Sequence, residues 1–259
     1  MTIRVAVLGA IGRMGSATCR MLDETDDLEL VAAVSPAHVG VPLDELVGTD
    51  SGLEVVAGID DFDDVDVAVD FTRPDVVSNH VIALLERGIH VVVGTSGITQ
   101  DALERARQLA ETGRARALVV PNFAIGAVLL MEFAARAATY LPDVEIIELH
   151  HDGKLDAPSG TALRTAERIA QARSASPDPV GGDDGHPGAR GADVHGVRVH
   201  SVRLPGLVAH QEVVFGGRGQ TLTLRHDTID RTSFMPGVAV ACRRVHTLDG
   251  LAIGLEHVL

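Results

Sequence analysis

The chain has 259 residues, 46% of them hydrophobic, enough to bury a substantial core as one large domain or two, and its net charge is -14. That charge excludes nucleic acid and anionic membranes as partners, because both demand a basic surface. Two cysteines far apart in predicted helices, Cys19 and Cys242, imply no disulfide framework, and no apolar run approaches the ~20 residues that span a bilayer. A strand begins within three residues of the start with no charged leader before it, so a soluble cytoplasmic protein is expected.

Residues 3–8 are a short run of branched apolar residues that breaks at Gly9-Ala-Ile-Gly12-Arg-Met-Gly15 before a helical pattern through Leu22. Strand, glycine turn and helix in that order fit dinucleotide binding: Gly9 permits the tight turn, Gly12 lets a pyrophosphate approach, and Gly15 lets helix pack on strand. The second strand, 28–34, is followed by Ser35-Pro-Ala-His38 where an NAD-type site places an acid for the ribose. Nothing there repels a 2′-phosphate, and Arg13 could pair with one, which leans the reading towards NADPH or dual use. Residues 40–64 are acidic and aperiodic; they read as a loop with a short helix or as a solvated surface insertion, and the insertion is the expectation.

Strand patterns recur at 65–71, 89–93 and 117–120, separated by helices from Pro74 to Arg87 and to about Glu111. Such alternation gives a doubly wound parallel sheet, whose ligands sit at the carboxyl ends of the strands. Those ends carry the glycine turn, Gly94-Thr95-Ser96 and Pro121-Asn122-Phe123. A long apolar helix, 126–141, leads into a second domain.

Residues 144–150 read as a strand with Val144, Ile146, Glu148 and His150 on one face, so the adjacent His150 and His151 point differently. Lys154 follows; it is the only lysine among 22 basic residues. Arginine serves wherever a plain positive charge suffices, whereas lysine offers an ammonium that can give up a proton. Pro158-Ser159 opens a helix with Ser159 as N-cap, and the first-turn amides of Gly160 and Thr161 form a seat for a carboxylate or phosphate. A strand-end histidine pair and a stray surface lysine are the alternative reading; no third ligand has metal-site spacing. Residues 174–191, rich in Gly, Pro, Asp and Ser, are expected to be a mobile loop. Three alternating runs, 196–204, 207–215 and 220–227, complete a second sheet of about four strands crossed by a single long helix. Its unburied face is a candidate oligomer interface. A last helix, 232–244, returns towards the first domain.

In order along the chain, Gly9-Ala-Ile-Gly-Arg-Met-Gly15, Asp70-Phe-Thr72, Gly94-Thr-Ser-Gly97, Pro121-Asn-Phe123, Glu148-Leu-His-His151, Lys154-Leu-Asp-Ala-Pro-Ser-Gly-Thr161, Gly206-Leu-Val-Ala-His-Gln-Glu212 and Arg225-His-Asp227, followed by Ser233-Phe-Met-Pro-Gly237, closely resemble the 4-hydroxy-tetrahydrodipicolinate (dihydrodipicolinate) reductase family over nearly the whole length. The resemblance implies an N-terminal Rossmann domain, residues 1–124 with 232–259, and a mixed-sheet α+β domain, 125–231, through which four subunits assemble. It implies reduction of a cyclic imine dicarboxylate by NADPH or NADH in diaminopimelate and lysine biosynthesis, without a metal. His150 would be the proton donor and Lys154 the second catalytic residue. His151, Ser159, Gly160 and Thr161 would hold substrate carboxylates, and Ser96, where the family more often has Thr, would keep a hydroxyl in the site. The cofactor would lie against Gly9, Ile11, Gly12, Arg13, Met14, Gly94, Thr95, Ser96, Val120, Pro121, Asn122 and Phe123. Asp152-Gly153 is less basic than in many relatives. A reductase of another cyclic imine diacid shares these features; an aldehyde dehydrogenase would need a cysteine near the site, and a nicotinamide-sensing regulator would need a basic DNA-reading element.

Overall fold

Short Val/Ile/Leu/Ala runs bounded by glycine turns become buried parallel strands, and the helical periods between them become the covering layers. In the computed structural model, which describes residues 2–173 and 185–259, residues up to Ile125 together with Phe234–Leu259 form one compact unit and Gly126–Ser233 a second. The first unit starts with strands β1 (Ile3–Leu8), β2 (Leu28–Val34), β3 (Val67–Asp70), β4 (His90–Val93) and β5 (Ala117–Val119). Its helices to that point are α1 (Arg13–Asp23), α2 (Leu43–Val47), α3 (Val77–Glu86) and α4 (Gln100–Thr112).

The second unit follows with α5 (Ile125–Ala138), β6 (Asp143–His150), α6 (Gly160–Ala172), β7 (Ala192–Val194), β8 (Val197–Arg203), β9 (Ala209–Gly217) and β10 (Gln220–Thr228). The chain then returns to the first unit with α7 (Met235–Arg244) and β11 (Leu251–Ile253).

The first sheet runs β2-β1-β3-β4-β5-β11, every pairing parallel. Val5, Ala6, Val7 and Leu8 of β1 are all fully buried because helices cover both faces. Ala6 and Leu8 belong to the core formed with α3 and α4, while α1 and α7 meet β1 and β2 and each other, Thr18 Oγ1 lying 3.9 Å from Met235 Sδ. Each Val or Leu side chain so buried contributes about 1.5–3 kcal/mol.

The second sheet is mixed, in the order β10-β9-β6-β8-β7. β6 pairs parallel with β8 and antiparallel with β9. Two helices pack on one face, not one: Leu130, Ala134 and Ala138 of α5 and Ala162, Ala166 and Ile169 of α6 share a core with Ile146, Val199, Val213 and Phe215. The sheet has five strands rather than about four; β7 is three residues of weak pattern paired at the edge with β8.

Three further expectations are corrected. Residues 40–64 are not a solvated insertion: Leu43, Val47, Val55 and Phe62 are buried, and Val34 bridges to Val56, so the acidic residues surround a small apolar staple. β11 is too short for a strand pattern to mark it in the sequence, and it extends the parallel sheet beside β5. α3 begins at Val77, not Pro74, after a turn in which the amides of Val76 and Val77 donate to Arg73 O. Most of the stretch expected to be a mobile loop, residues 174–184, lies outside the described residues, and 185–190 form bends and turns. Among the described residues no helix is long and apolar enough to cross a membrane.

Candidate active site

In the first unit the carboxyl ends of the strands form one rim tied by backbone hydrogen bonds. Gly9 and Ala10 amides donate to Val34 O, Phe71 to Leu8 O, Gly94 to Asp70 O, and Val120 to Val93 O, all at 2.8–3.1 Å. Gly9 has a φ of 77°, the left-handed region that favours glycine. A Cβ on Gly15 would lie 2.1 Å from Gly9 O, so helix and turn touch backbone to backbone. Gly12 caps α1 without any side-chain hydrogen bond, leaving the first-turn amides and the positive helix end to a ligand. Gly94 is wedged between rings: a Cβ there would meet Phe71 at 2.2 Å and Phe123 at 2.8 Å, and those two rings pack edge to face with centroids 5.6 Å apart. The loop chemistry thus fits a dinucleotide, and Gly9, Ile11, Gly12, Arg13, Met14, Gly94, Thr95, Ser96, Val120, Pro121, Asn122 and Phe123 all fall on this rim.

Not all of these offer side chains. Val120 and Phe123 are buried, and the Thr95 hydroxyl is already committed to Asp70, donating to its main-chain O (3.2 Å) and Oδ1 (3.1 Å). Asp70 itself is fully buried and saturated, since Thr72 N and Oγ1 also reach Oδ1 and His80 Nδ1 lies 2.8 Å from Oδ2. Ser96 and Arg13 are exposed. Where an NAD-type acid would stand, Ser35 Oγ instead meets His38 Nδ1 at 3.0 Å.

In the second unit the site grows from the end of β6. The side chains of Val144, Ile146, Glu148 and His150 face the α5/α6 layer, so a carboxylate sits at a core position and is fully buried. It survives there because donors reach both oxygens: Arg203 Nη2 (2.8 Å) and Ser159 N (3.2 Å) on Oε1, Arg203 Nη1 (2.9 Å) and His150 Nδ1 (2.5 Å) on Oε2. Arg203 is brought in by register, directly opposite His150 on β8. Its Nη2 also donates to Asp156 O. Lys154, its amide bonded to His151 O, pairs Nζ with Asp156 Oδ1 at 2.7 Å and Oδ2 at 2.9 Å. Ser159 caps α6, its Oγ accepting from Ala162 N (3.2 Å), with Gly160 exposed and Thr161 half-buried on the first turn. His151 is exposed.

The electrostatics follow from this packing. Burial lowers the pKa of His150 below 6.5; the bond to Glu148 works against that, while Lys154 and Arg203 reinforce it. Burial pushes Glu148 up, but the Arg203 fork, Ser201 and His150 outweigh it and the net direction is down. The pairing with Lys154 holds Asp156 low. At neutral pH His150 is therefore a neutral ring whose Nδ1–H donates a hydrogen bond to Glu148 Oε2 and whose Nε2 is left as an acceptor. Burial pushes the thiols of Cys19 and Cys242 up to about 12, so neither is a nucleophile. Among the described residues no three of His, Cys, Asp and Glu stand together as a metal site.

His150, Lys154 and the Ser159–Thr161 turn are brought together; Ser96 lies in the other unit. The Glu148–Arg203 pair escaped the sequence reading. A signal for half of it was present, because Glu148 occupies the same strand face as Ile146 and a charge on a core face needs a partner. Arg203, 55 positions away, had no such signal.

Known proteins resemble this chain over its full length. A family model for the dihydrodipicolinate reductase N-terminus matches residues 3–123, and one for the C-terminus matches 126–259. The 4-hydroxy-tetrahydrodipicolinate reductase of Nocardia farcinica is 52% identical over 262 residues, covering 99% of this chain and 98% of that protein. The enzyme of the same name from Bacillus pumilus is 47% identical over 268 residues, covering 100% and 98%. A solved dihydrodipicolinate reductase from Paenisporosarcina sp. TG-14, with dipicolinate bound, superposes with a TM-score of 0.91 at 42% identity over 100% of both chains. With each half matched by its own family model and relatives near half identity end to end, the chain belongs to the dihydrodipicolinate reductase family.

Proposed function

We propose that this protein reduces 4-hydroxy-tetrahydrodipicolinate to tetrahydrodipicolinate with NADPH or NADH, a step towards diaminopimelate and lysine. The observation that carries this reading is the full-length match to relatives named for that reaction, one of them solved with dipicolinate bound. In this reading the first unit holds the dinucleotide and the second the substrate. NAD(P)H supplies a hydride when bound.

The glycine turn and the α1 N-terminus would take the pyrophosphate, and Arg13 with Ser35 and His38 would tolerate a 2′-phosphate. The Gly160 and Thr161 amides, at the positive end of α6, would bind one substrate carboxylate, and His151 would contribute a polar contact. Net, the substrate takes up a hydride and a proton and loses its hydroxyl as water. Charge that develops on the ring as hydride arrives is stabilised by Lys154 and discharged by the proton from His150. His150 is neutral in the free protein, and a dianionic substrate beside it favours the imidazolium, so the donor is charged by the molecule it serves. Four subunits are expected to assemble through the second unit, in the cytoplasm. Ile147, Leu149, Val202 and Val214 remain only half-buried on the sheet face away from α5 and α6, which supports that arrangement.

The test is oxidation of NADPH and of NADH with substrate generated in situ, together with light scattering for subunit number. Turnover with either cofactor by a tetramer is the expected result. A protein that binds nucleotide but turns over neither would instead reduce a different cyclic imine diacid.

A further inference from the structure

We propose that Glu148 and Arg203 are positioning residues for the reaction: together they hold His150 as its Nδ1–H tautomer, with Nε2 bare, and tie that ring to the first turn of α6. The proposal rests on the reading of His150 as proton donor. Three geometric facts carry it. The Glu148 carboxylate is fully buried, and each of its oxygens is already shared by two donors. A group so filled cannot itself take the substrate or trade protons with solvent; what it can do is fix its neighbours. Its Oε2 faces His150 Nδ1, and an ionised carboxylate accepts only, so that nitrogen must carry hydrogen. Its Oε1 holds the amide of Ser159, the residue whose side chain caps α6, so one carboxylate sets both the imidazole and the helix end expected to bind substrate.

Arg203 has a separate task. A lone buried carboxylate would draw a proton onto His150 and keep the ring charged before substrate arrived. The two-pronged guanidinium contact cancels that charge in place, and among the described residues the other charge acting on the ring is Lys154, which also disfavours the imidazolium. The ring is then neutral until an anion approaches. Tautomer comes from Glu148, and the absence of premature charge from Arg203.

The two residues should therefore fail in opposite directions. Nitrogen-15 shifts of the imidazole, read on substrate-free protein and assigned by loss of the signal in His150→Asn, report tautomer and pKa without turnover. Glu148→Gln is expected to lower the His150 pKa further and to move the ring towards its Nε2–H form, with kcat down about 100-fold or more and KM changed less than about threefold. Arg203→Met is expected to raise the His150 pKa and shift the alkaline limb of the kcat profile, where the proton donor is lost, to higher pH. Ile146→Val, a core change on the same strand, should lower Tm and leave the imidazole signals alone. If Arg203→Met does not fold, Glu148→Gln with Arg203→Met removes both charges and is expected to give a neutral ring of mixed tautomer. A folded Glu148→Gln that keeps Nδ1–H and an unmoved profile overturns the proposal, as do shifts of the same sign in both variants. Full turnover by His150→Asn would instead overturn the proton-donor reading, leaving the imidazole signals to decide the positioning role alone.

Discussion

Lys154 stands alone against 21 arginines, and its surroundings say what distinguishes it. Its ammonium reaches both oxygens of Asp156 in a pair that is partly solvated, so the contact orients the side chain more than it stabilises the fold. A guanidinium could make the same pair and keep the charge, but its larger planar fork would spread that charge and move it from where the compact ammonium holds it. Lys154→Arg is accordingly expected to lower kcat about 100-fold or more at unchanged Tm, measured by steady-state kinetics and thermal melts. Asp156→Asn, which removes only the partly exposed partner, should change kcat less than about fivefold. Because no other lysine exists, an amine-directed label can react only here and at the amino terminus, and substrate with cofactor should slow labelling of Lys154. Equal labelling rates with and without them would place this side chain outside the site.

At the scale of elements, the glycine turn is where packing is least forgiving. Gly15 sits in the first turn of α1 against the main chain of Gly9 and Ala10, and a Cβ would lie 2.1 Å from Gly9 O and 2.9 Å from Ala10 Cα. Backbone cannot swing aside as a side chain can, so Gly15→Ala must push the helix off the strand. The expected cost is about 1–3 kcal/mol of stability, read by denaturant titration, with nucleotide affinity weakened about tenfold or more in a fluorescence titration. Unaltered affinity would mean that the turn does not hold the dinucleotide. The same element shows why this half of the fold was legible in sequence. Residues 3–8 and 28–34 were marked by apolar runs that end in punctuation, and the observed strands coincide with them. What escaped was structure whose cause is distant. β11 is three residues long and exists because β5 offers a free edge beside it. Residues 40–64 look solvated because acids are scattered among their apolar residues with no regular period, and the side chains that hold the stretch down, Leu43, Val55 and Phe62, are far apart in it. The site divides in the same way: the histidine pair, Lys154 and the Ser159 cap lie within a dozen residues, whereas Arg203 reaches Glu148 only through the pairing of β6 with β8.

For the whole molecule, acid sets two opposing effects against each other. The net charge of -14 means that falling pH relieves self-repulsion, which by itself would strengthen the fold. Against this stand three histidines, His90, His150 and His226, whose pKa values burial lowers from 6.5. His90 also accepts the Arg116 amide on Nδ1 at 2.9 Å, a bond that protonation would end. For such a group the unfolded chain binds more protons than the folded one, so stability drops as pH falls below about 6.5 and through the lower folded values. Glu148, lowered from 4.5, adds stability above that value which is lost as pH falls through its own folded pKa. Diffuse repulsion is screened over about 8 Å at physiological salt, while the burial of a ring is not, so the local effect wins there. Tm measured from about pH 7.5 down to about pH 5.5 in ~0.15 M salt should therefore fall steadily. His90→Asn, which removes one titrating ring, should flatten the slope, and lowering the salt should also flatten it by restoring the repulsion that acid relieves. A Tm that stays level or rises on acidification at physiological salt would show that net charge, not the buried rings, governs the acid response of this protein.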